Sequence, residues 1–498
     1  MTPLSLKAIN FLWLPILPLI TIALAAIVVL LVGVRVDDEE SEGLGWLTIA
    51  LLGVAAVFAL GMIGQTGVAF AGSIAIDSYS AYFEIVILIA TMVTVLMSLD
   101  YVAERRIAGA EYYSLVLFAA LGMMLMATAG DLIIIFLGLE TMSLSVYVLA
   151  GLARQDPRST EASLKYFLLG AFSTGFLLYG IALIYGATGT ISLGPIHAAL
   201  TGDMMSNPLL LLGLGLMLIG FGFKVAAVPF HMWTPDVYEG APTPITAFMA
   251  VGVKLAAFAG FLRVFLVNLA PVSAEWTWAL WALAALTMTV GNLVALVQTN
   301  IKRMLAYSAI AHAGYLLVGM AAAGPQAGSA ILYYLLGYAF TNLGAFAVVV
   351  ALEGRGETSD MISNYRGLAR REPWLAAALA LCLLSLTGVP PLAGFVGKFY
   401  IFNAALNQGF VGLVIIAVLN SVMSAYYYFS VIVAIYMEEG GVQVAHMGAR
   451  PALVAAIALS VVAMILIGVY PEPYINAASN AFHSALGAGV VRAASLQP

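Results

Sequence analysis

The stretch FKVAAVPFHMWTPDVYEGAPTP at residues 223–244 decides how this chain folds. Lys224 stands among mostly apolar neighbours, in a segment that meets Pro229 and Pro235 and runs into GAPTP at 240–244. Proline removes a backbone donor and clashes with the preceding turn, so the apolar segment near 209–235 is predicted to be a discontinuous helix. A second such place is SLTGVPPLAGFVGKFYIF at 385–402, with Gly388, Pro390, Pro391 and Gly394 inside the apolar segment near 374–407. As one straight helix that segment would be about 51 Å long, against a hydrocarbon core of about 30 Å. Broken spans at matching places in two halves point to an inverted-repeat transporter.

Apolar runs surround both breaks. Of the 498 residues, 63% are apolar and 9% charged, with a mean hydropathy of +1.04. A soluble domain carries about 25% charged residues, and so few could not cover a water-exposed globule. Hydrophobic segments of span length fall near 11–34, 45–64, 78–99, 112–129, 131–153, 162–186, 209–235, 244–268, 276–299, 303–321, 327–352, 374–407, 410–436 and 451–470. The fold class is therefore all-α: a polytopic membrane protein of about fourteen transmembrane helices, with no soluble domain between them. Segments 4–8 and 9–13 form two groups of five, each broken at its fourth member. That divides the chain at 1–111, 112–268, 276–436 and 437–498. The first segment is too long for a signal-peptide core and reads as a span.

The formal charge of −6 says less than the position of the charges. Odd-numbered loops hold Arg35, Arg105, Arg106, Arg154, Arg158, Lys302, Arg303, Arg355, Arg366, Arg370, Arg371 and Arg450, and even-numbered loops hold none. The positive-inside rule puts the odd loops in the cytoplasm and both termini outside, with Lys7 as weak opposition. Besides Lys7 and Arg492 at the ends, the other basic residues lie within spans: Lys165, Lys224, Lys254, Arg263 and Lys398.

A charge at mid-membrane costs about 2.5–3.5 kcal/mol on insertion scales, so these positions demand a reason. Glu140, in FLGLETMSLSVYVLAGL (136–152), lies near the middle of its span, where a glutamine would serve a purely structural tie. Lys254 is too deep in FMAVGVKLAAFAGFLRVF (248–265) to snorkel to the headgroups. Lys398 follows the second break, where snorkelling competes as a reading, and Lys165 is near enough to a span end to be an interfacial anchor. His231 at the first break and His312 are the histidines nearest this line. Arg263 stays charged under almost any condition and is no proton carrier. The run Tyr426, Tyr427, Tyr428 and the cluster Met123, Met124, Met126 read as packing. With one cysteine, Cys382, and no ligand spacing among five histidines, the chain offers no iron–sulfur, zinc or haem site.

An amine in water holds its proton too tightly to relay it at neutral pH. Desolvation or a neighbouring positive charge loosens it, and a nearby carboxylate tightens it. The residues thus suggest a switch in which Glu140 beside Lys224 retains the proton and their separation releases it along the line.

The FLGLE helix, the 223–244 stretch, GVKLAAFAGFLRVF (252–265), NIKRMLAYSAIAHAGYLL (300–317) and TGVPPLAGFVGKF (387–399) resemble the subunit N family of bacterial respiratory complex I, the NADH–quinone oxidoreductase. The similarity runs over essentially the whole chain. Tyrosine before the glutamate in HMWTPDVYEGAP, lysine at 398 and the lack of a long lateral helix after segment fourteen separate it from the sister subunits M and L. The resemblance implies an antiporter-like fold of two inverted five-helix repeats and a proton-translocating role. Glu140 and Lys224 would form the glutamate–lysine pair, Lys254 the central relay and Lys398 the exit group. His231 and His312 would flank the axis, with Lys165 secondary. It also implies a place in the inner membrane beside other membrane-arm subunits, with flavin, iron–sulfur clusters and quinone on other chains and no cofactor here. The competing readings are a sodium/proton antiporter subunit, a ferredoxin- or hydrogenase-linked relative, and a membrane anchor without transport.

Overall fold

The computed structural model describes residues 13–36, 41–353, 360–440 and 450–494, so Lys7 and Arg355 lie outside the described residues. Helices occupy every predicted segment. The first six are α1 (Leu17–Gly33), α2 (Glu42–Leu60), α3 (Ser78–Glu104), α4 (Gly109–Thr128), α5 (Leu132–Ala150) and α6 (Pro157–Thr188). The seventh segment is split into α7 (Pro208–Lys224) and α8 (Thr234–Gly240), followed by α9 (Thr243–Asn268), α10 (Ser273–Ala295), α11 (Ile301–Ala322) and α12 (Gly324–Leu352). The twelfth is split into α13 (Pro373–Thr387) and α14 (Ala393–Asn407), and α15 (Val411–Met437) and α16 (Pro451–Val469) complete the series. Among the described residues, eleven helices are long and apolar enough to cross a membrane, and α1, α7 and α13 are shorter apolar helices.

Both breaks have local causes. Helix α7 ends at Lys224, and Ala226 then takes a left-handed φ of 61°, a conformation its Cβ disfavours by about 1–2 kcal/mol. Helix α13 ends at Gly388 with φ 93°, where the missing Cβ removes that cost. Pro390 and Pro391 then prevent the helix from continuing.

Two features leave no strong sequence pattern. Strands β1 (Gly67–Ala69) and β2 (Ile74–Ile76) form an antiparallel hairpin just before α3. Helix α17 (Glu472–Ala494) occupies the predicted tail and packs against α3 and α12.

Three helices are wrapped by the others: the apolar windows of α9 and α12 are completely buried and that of α11 is 94% buried. The basic loops gather at one end. Arg450 pairs with Glu104 at 2.6 Å, Arg105 with Glu353 at 3.5 Å and Arg158 with Asp360 at 3.5 Å. These bridges tie loops far apart in sequence to one arginine-rich face, opposite the hairpin.

Candidate functional site

Lys224, Lys254 and Lys398 are each at most 4% exposed. Lys224, the last residue of α7, donates to Ser143 Oγ at 2.7 Å and Tyr147 OH at 3.0 Å, both on α5. Its Nζ also lies over the rings of Tyr147, Tyr166 and Phe223 at 5.1–5.6 Å, within reach of cation–π attraction. Lys254 follows a π-helical stretch, Met249–Val253, in the middle of α9. Such stretches recur at functional sites. Its Nζ donates to Ala309 O at 2.5 Å and Tyr338 OH at 3.0 Å. Lys398 reaches back across the second break to the last carbonyls of α13, Leu386 O and Thr387 O, both at 2.9 Å, and to Ser421 Oγ at 2.9 Å. A helix C-terminus carries partial negative charge and holds a cation there. Each ammonium is thus held by neutral oxygens.

His312 on α11 joins the last two lysines. Its Nδ1 meets Tyr334 OH at 2.5 Å and its Nε2 meets Tyr428 OH at 3.2 Å. The Tyr338 ring, which also lies under Lys254 Nζ, is 5.4 Å from the imidazole. The Tyr315 ring stands 5.5 Å from the imidazole and 4.7 Å from Lys398 Nζ. A cavity of about 10 Å³ adjoins His312, Tyr338, Thr341 and Ser385, at the lower limit of the space one water needs.

Other predicted residues fall elsewhere. Glu140 is half-buried and makes no ion pair with Lys224. The pair implied by the resemblance is open here, because the amine turns one helical turn along α5 to Ser143 and Tyr147. The buried Oε1 of Glu140 has no partner among the described residues, and its helix face exposes Leu137, Leu144 and Val148. His231 sits half-buried in the first break with Nδ1 unpartnered, and no hydrogen bond among the described residues joins it to the lysines. Lys165, 41% exposed, bonds Glu161 at 2.5 Å and Asp236 at 2.8 Å. Arg303 completes that cluster at 2.7 Å from Asp236 and 2.8 Å from Glu239.

Sequence reasoning missed the hydroxyls. Tyr428 was read as packing, yet its OH bonds both His312 and Ser308, and Tyr427 OH bonds Asn292 Oδ1 at 2.9 Å. Tyr334 and Tyr338, one turn apart on a wholly buried helix, were the available signal: a buried phenol needs a partner. Glu84, 3% exposed inside α3, was also missed.

On the arginine-rich face a cavity of about 780 Å³ opens at the α8–α9 junction, lined by Arg105, Arg158, Glu239, Lys302, Glu353 and Asp360 among others. Glu353, 4% exposed at its floor, accepts a hydrogen bond from Thr243 Oγ1. Burial lifts its carboxyl above the usual range despite the charge of Lys302.

Two broken helices, a wrapped centre and buried amines set on neutral oxygens define an antiporter-like membrane protein. A family model described as NADH:quinone oxidoreductase/Mrp antiporter matches residues 129–424. NADH-quinone oxidoreductase subunit N of Trichlorobacter lovleyi is 47% identical over 467 residues, covering 94% of this chain and 96% of that protein. The subunit N of Chloroflexus aggregans is 45% identical, covering 92% and 94%. A chain of respiratory complex I from Thermus thermophilus superposes with a TM-score of 0.79 at 39% identity, covering 92% of this chain and 99% of that one. A chain of the archaeal membrane-bound sulfane sulfur reductase gives 0.86 at 26% identity, covering 97% and 99%. The chain belongs to the NADH:quinone oxidoreductase/Mrp antiporter family and, within it, to the NADH-quinone oxidoreductase subunit N family.

Proposed function

We propose that this subunit carries protons across the membrane along Lys224, Lys254, His312 and Lys398, coupled to electron transfer from NADH to quinone on other subunits. The carrying observation is that three amines are buried among the helices with hydroxyls and carbonyls as their direct partners. An ammonium so placed is desolvated without a carboxylate to pin its proton.

The arginine-rich face looks into the cytoplasm by the positive-inside rule, so the 780 Å³ cavity is the mouth through which protons enter. The termini then lie outside. Residues 112–268 and 276–436 act as two inverted units, each with its broken helix beside a lysine. Glu140, on a face with exposed apolar neighbours, meets a neighbouring membrane-arm subunit and also serves as the movable counter-charge of Lys224; the open pair is the proton-releasing arrangement. No cofactor is assigned to this chain; flavin, iron–sulfur clusters and quinone belong to its partners.

The test is the complete oxidoreductase in liposomes, measuring proton uptake per NADH oxidised. Lys254→Met and Lys224→Ala are expected to lower that yield. Wild-type yield in both variants refutes the relay. Identity of 47% with subunit N, against 26% with the sulfur reductase chain, favours NADH as the donor that drives it.

A further inference from the structure

Glu84 lies six residues into α3 and is 3% exposed. Among the described residues no hydrogen bond or ion pair reaches its carboxyl. A carboxyl retained to tie two helices would have a partner on the neighbouring helix, and among the described residues this one has none.

Its place in the fold is specific. Asp77, the N-cap of α3, pairs with Arg263 on antiparallel α9 at 2.8 and 3.0 Å. Tyr79 OH on α3 likewise bonds Ala259 O on α9 at 2.8 Å. Counting seven residues inward from each member of the ion pair gives Glu84 and Ala256, at a depth of about 10 Å. Glu84 therefore lies at the level of Ala256 on the neighbouring helix, two residues from Lys254. It shares a face of α3 with Ser80 and Asp77, by the spacing of a helix turn. That face looks onto the seam between α4 and α9: Ser80 Oγ and Arg263 both approach Ala127 O, at 3.5 and 3.1 Å. The seam is filled by Met123 against Gly252 and Met126 against Gly260, and methionine tolerates rearrangement better than branched side chains. At the outer end Ser80 Oγ is 2.7 Å from Asp77 Oδ1.

We propose that Glu84 is a further proton-carrying residue, forming an outward branch from the level of Lys254 past Ser80 and the Asp77–Arg263 pair. This rests on the relay proposed above. The Lys254 ammonium breaks an N–H bond and passes its proton through water to a Glu84 carboxylate oxygen, making one O–H bond. That bond then breaks and the proton leaves to water at the outer end, with Lys254 reloaded from the relay. Asp77 stays ionised against the guanidinium throughout. Axes of packed helices lie about 8–10 Å apart, wider than a direct hydrogen bond, so the branch requires bridging water between Lys254 and Glu84.

The complete complex in liposomes tests it, with proton uptake and NADH oxidation read together for Glu84→Gln, Glu84→Asp and Lys254→Met. The expected result is a loss of proton yield in Glu84→Gln as large as that in Lys254→Met, with the yield kept in Glu84→Asp. Wild-type yield in Glu84→Gln beside a deficient Lys254→Met overturns the branch and leaves the relay standing. Wild-type yield in both overturns both. Should Glu84→Gln fail to assemble, Glu84→Asp decides by infrared difference spectroscopy under turnover. A shifted protonated-carboxyl band supports the branch, and an unmoved spectrum overturns it.

Discussion

Replacing Arg263 with methionine tests the buried ion pair at the end of the wrapped helices opposite the arginine-rich face. Arg263 is 1% exposed and Asp77 is 1% exposed. The guanidinium donates twice to Asp77, to Ser80 Oγ at 2.9 Å, and through Nε and Nη2 to Ala127 O at 3.1 and 2.9 Å. Burial alone would raise the Asp77 carboxyl, but the charge and hydrogen bonds of Arg263 hold it at about 2. Removing one member of such a pair costs about 3–5 kcal/mol, because an unpaired charge stays buried. Arg263→Met should fall at the low end, since Asp77 keeps Ser80 N at 2.8 Å and Ser80 Oγ. Asp77→Asn alone leaves the guanidinium uncompensated and should cost as much. Combining the two removes both charges and keeps the helix cap, leaving Ala127 O short of donors at about 1–3 kcal/mol. The double variant is therefore expected to be more stable than either single one, by about tenfold in the folded fraction at about 1.4 kcal/mol per decade. The assay is heat-induced release of this subunit from the purified, detergent-solubilised complex. If the double variant loses as much as the two singles summed, the pair is not coupled and the reasoning fails.

The remaining predictions concern the proposed relay and the cavity on the arginine-rich face. Gly388→Ala places a Cβ at a φ of 93° and 3.2 Å from Lys398 Cδ. It should lower both stability, by about 1–2 kcal/mol, and proton yield, whereas Gly409→Ala, with φ 80° and open space, should lower stability alone. Tyr338→Phe removes a hydrogen bond to the Lys254 ammonium, an interaction of about 1.5–3 kcal/mol. Proton uptake should slow by about tenfold or more, and an unchanged rate removes Tyr338 from the path. Because burial raises the Glu353 carboxyl when folded, its contribution to stability is full below the unfolded value near about 4.3 and is lost as pH rises through the folded value. Glu353→Gln cannot ionise, so it should flatten that decline in the melting temperature of the complex over the same pH window.

What could be read in advance follows from how local each signal is. Pro229, Pro390, Pro391 and Gly388 act on their own backbone, so both breaks were legible without a partner helix. Lys224, Lys254 and Lys398 were legible because a charge in an apolar run is costly wherever the neighbours are. Their partners were not. Ser143, Tyr147, Tyr338 and Ser421 are chosen by interhelical register, which a helix period does not encode. The same limit hid the pairing of Asp77 with Arg263, residues 186 positions apart. It also made Tyr428 look like filler. Glu84 is different: it shows the cue that singled out Glu140, a carboxylate inside an apolar run, and was legible by that rule.

The partners of the cations sort them by what they can do. Lys165, Arg105, Arg158, Arg263, Arg303 and Arg450 each meet a carboxylate within 3.5 Å, and a proton or charge so paired stays where it is. Lys302 stands between, donating to Ala241 O at 2.8 Å while its charge acts on Glu353. Among the described residues, Lys224, Lys254 and Lys398 meet only hydroxyls, carbonyls and aromatic faces. Meanwhile the carboxyls deep in spans, Glu84 and Glu140, form no ion pair among the described residues. Ion pairing in the interior would be the easy way to offset desolvation, and the chain uses it at Asp77–Arg263. Keeping mid-depth amines and mid-depth carboxyls apart forgoes that stabilisation. It leaves each group able to take and release a proton as its neighbour changes, which is the property a relay needs and an anchor does not.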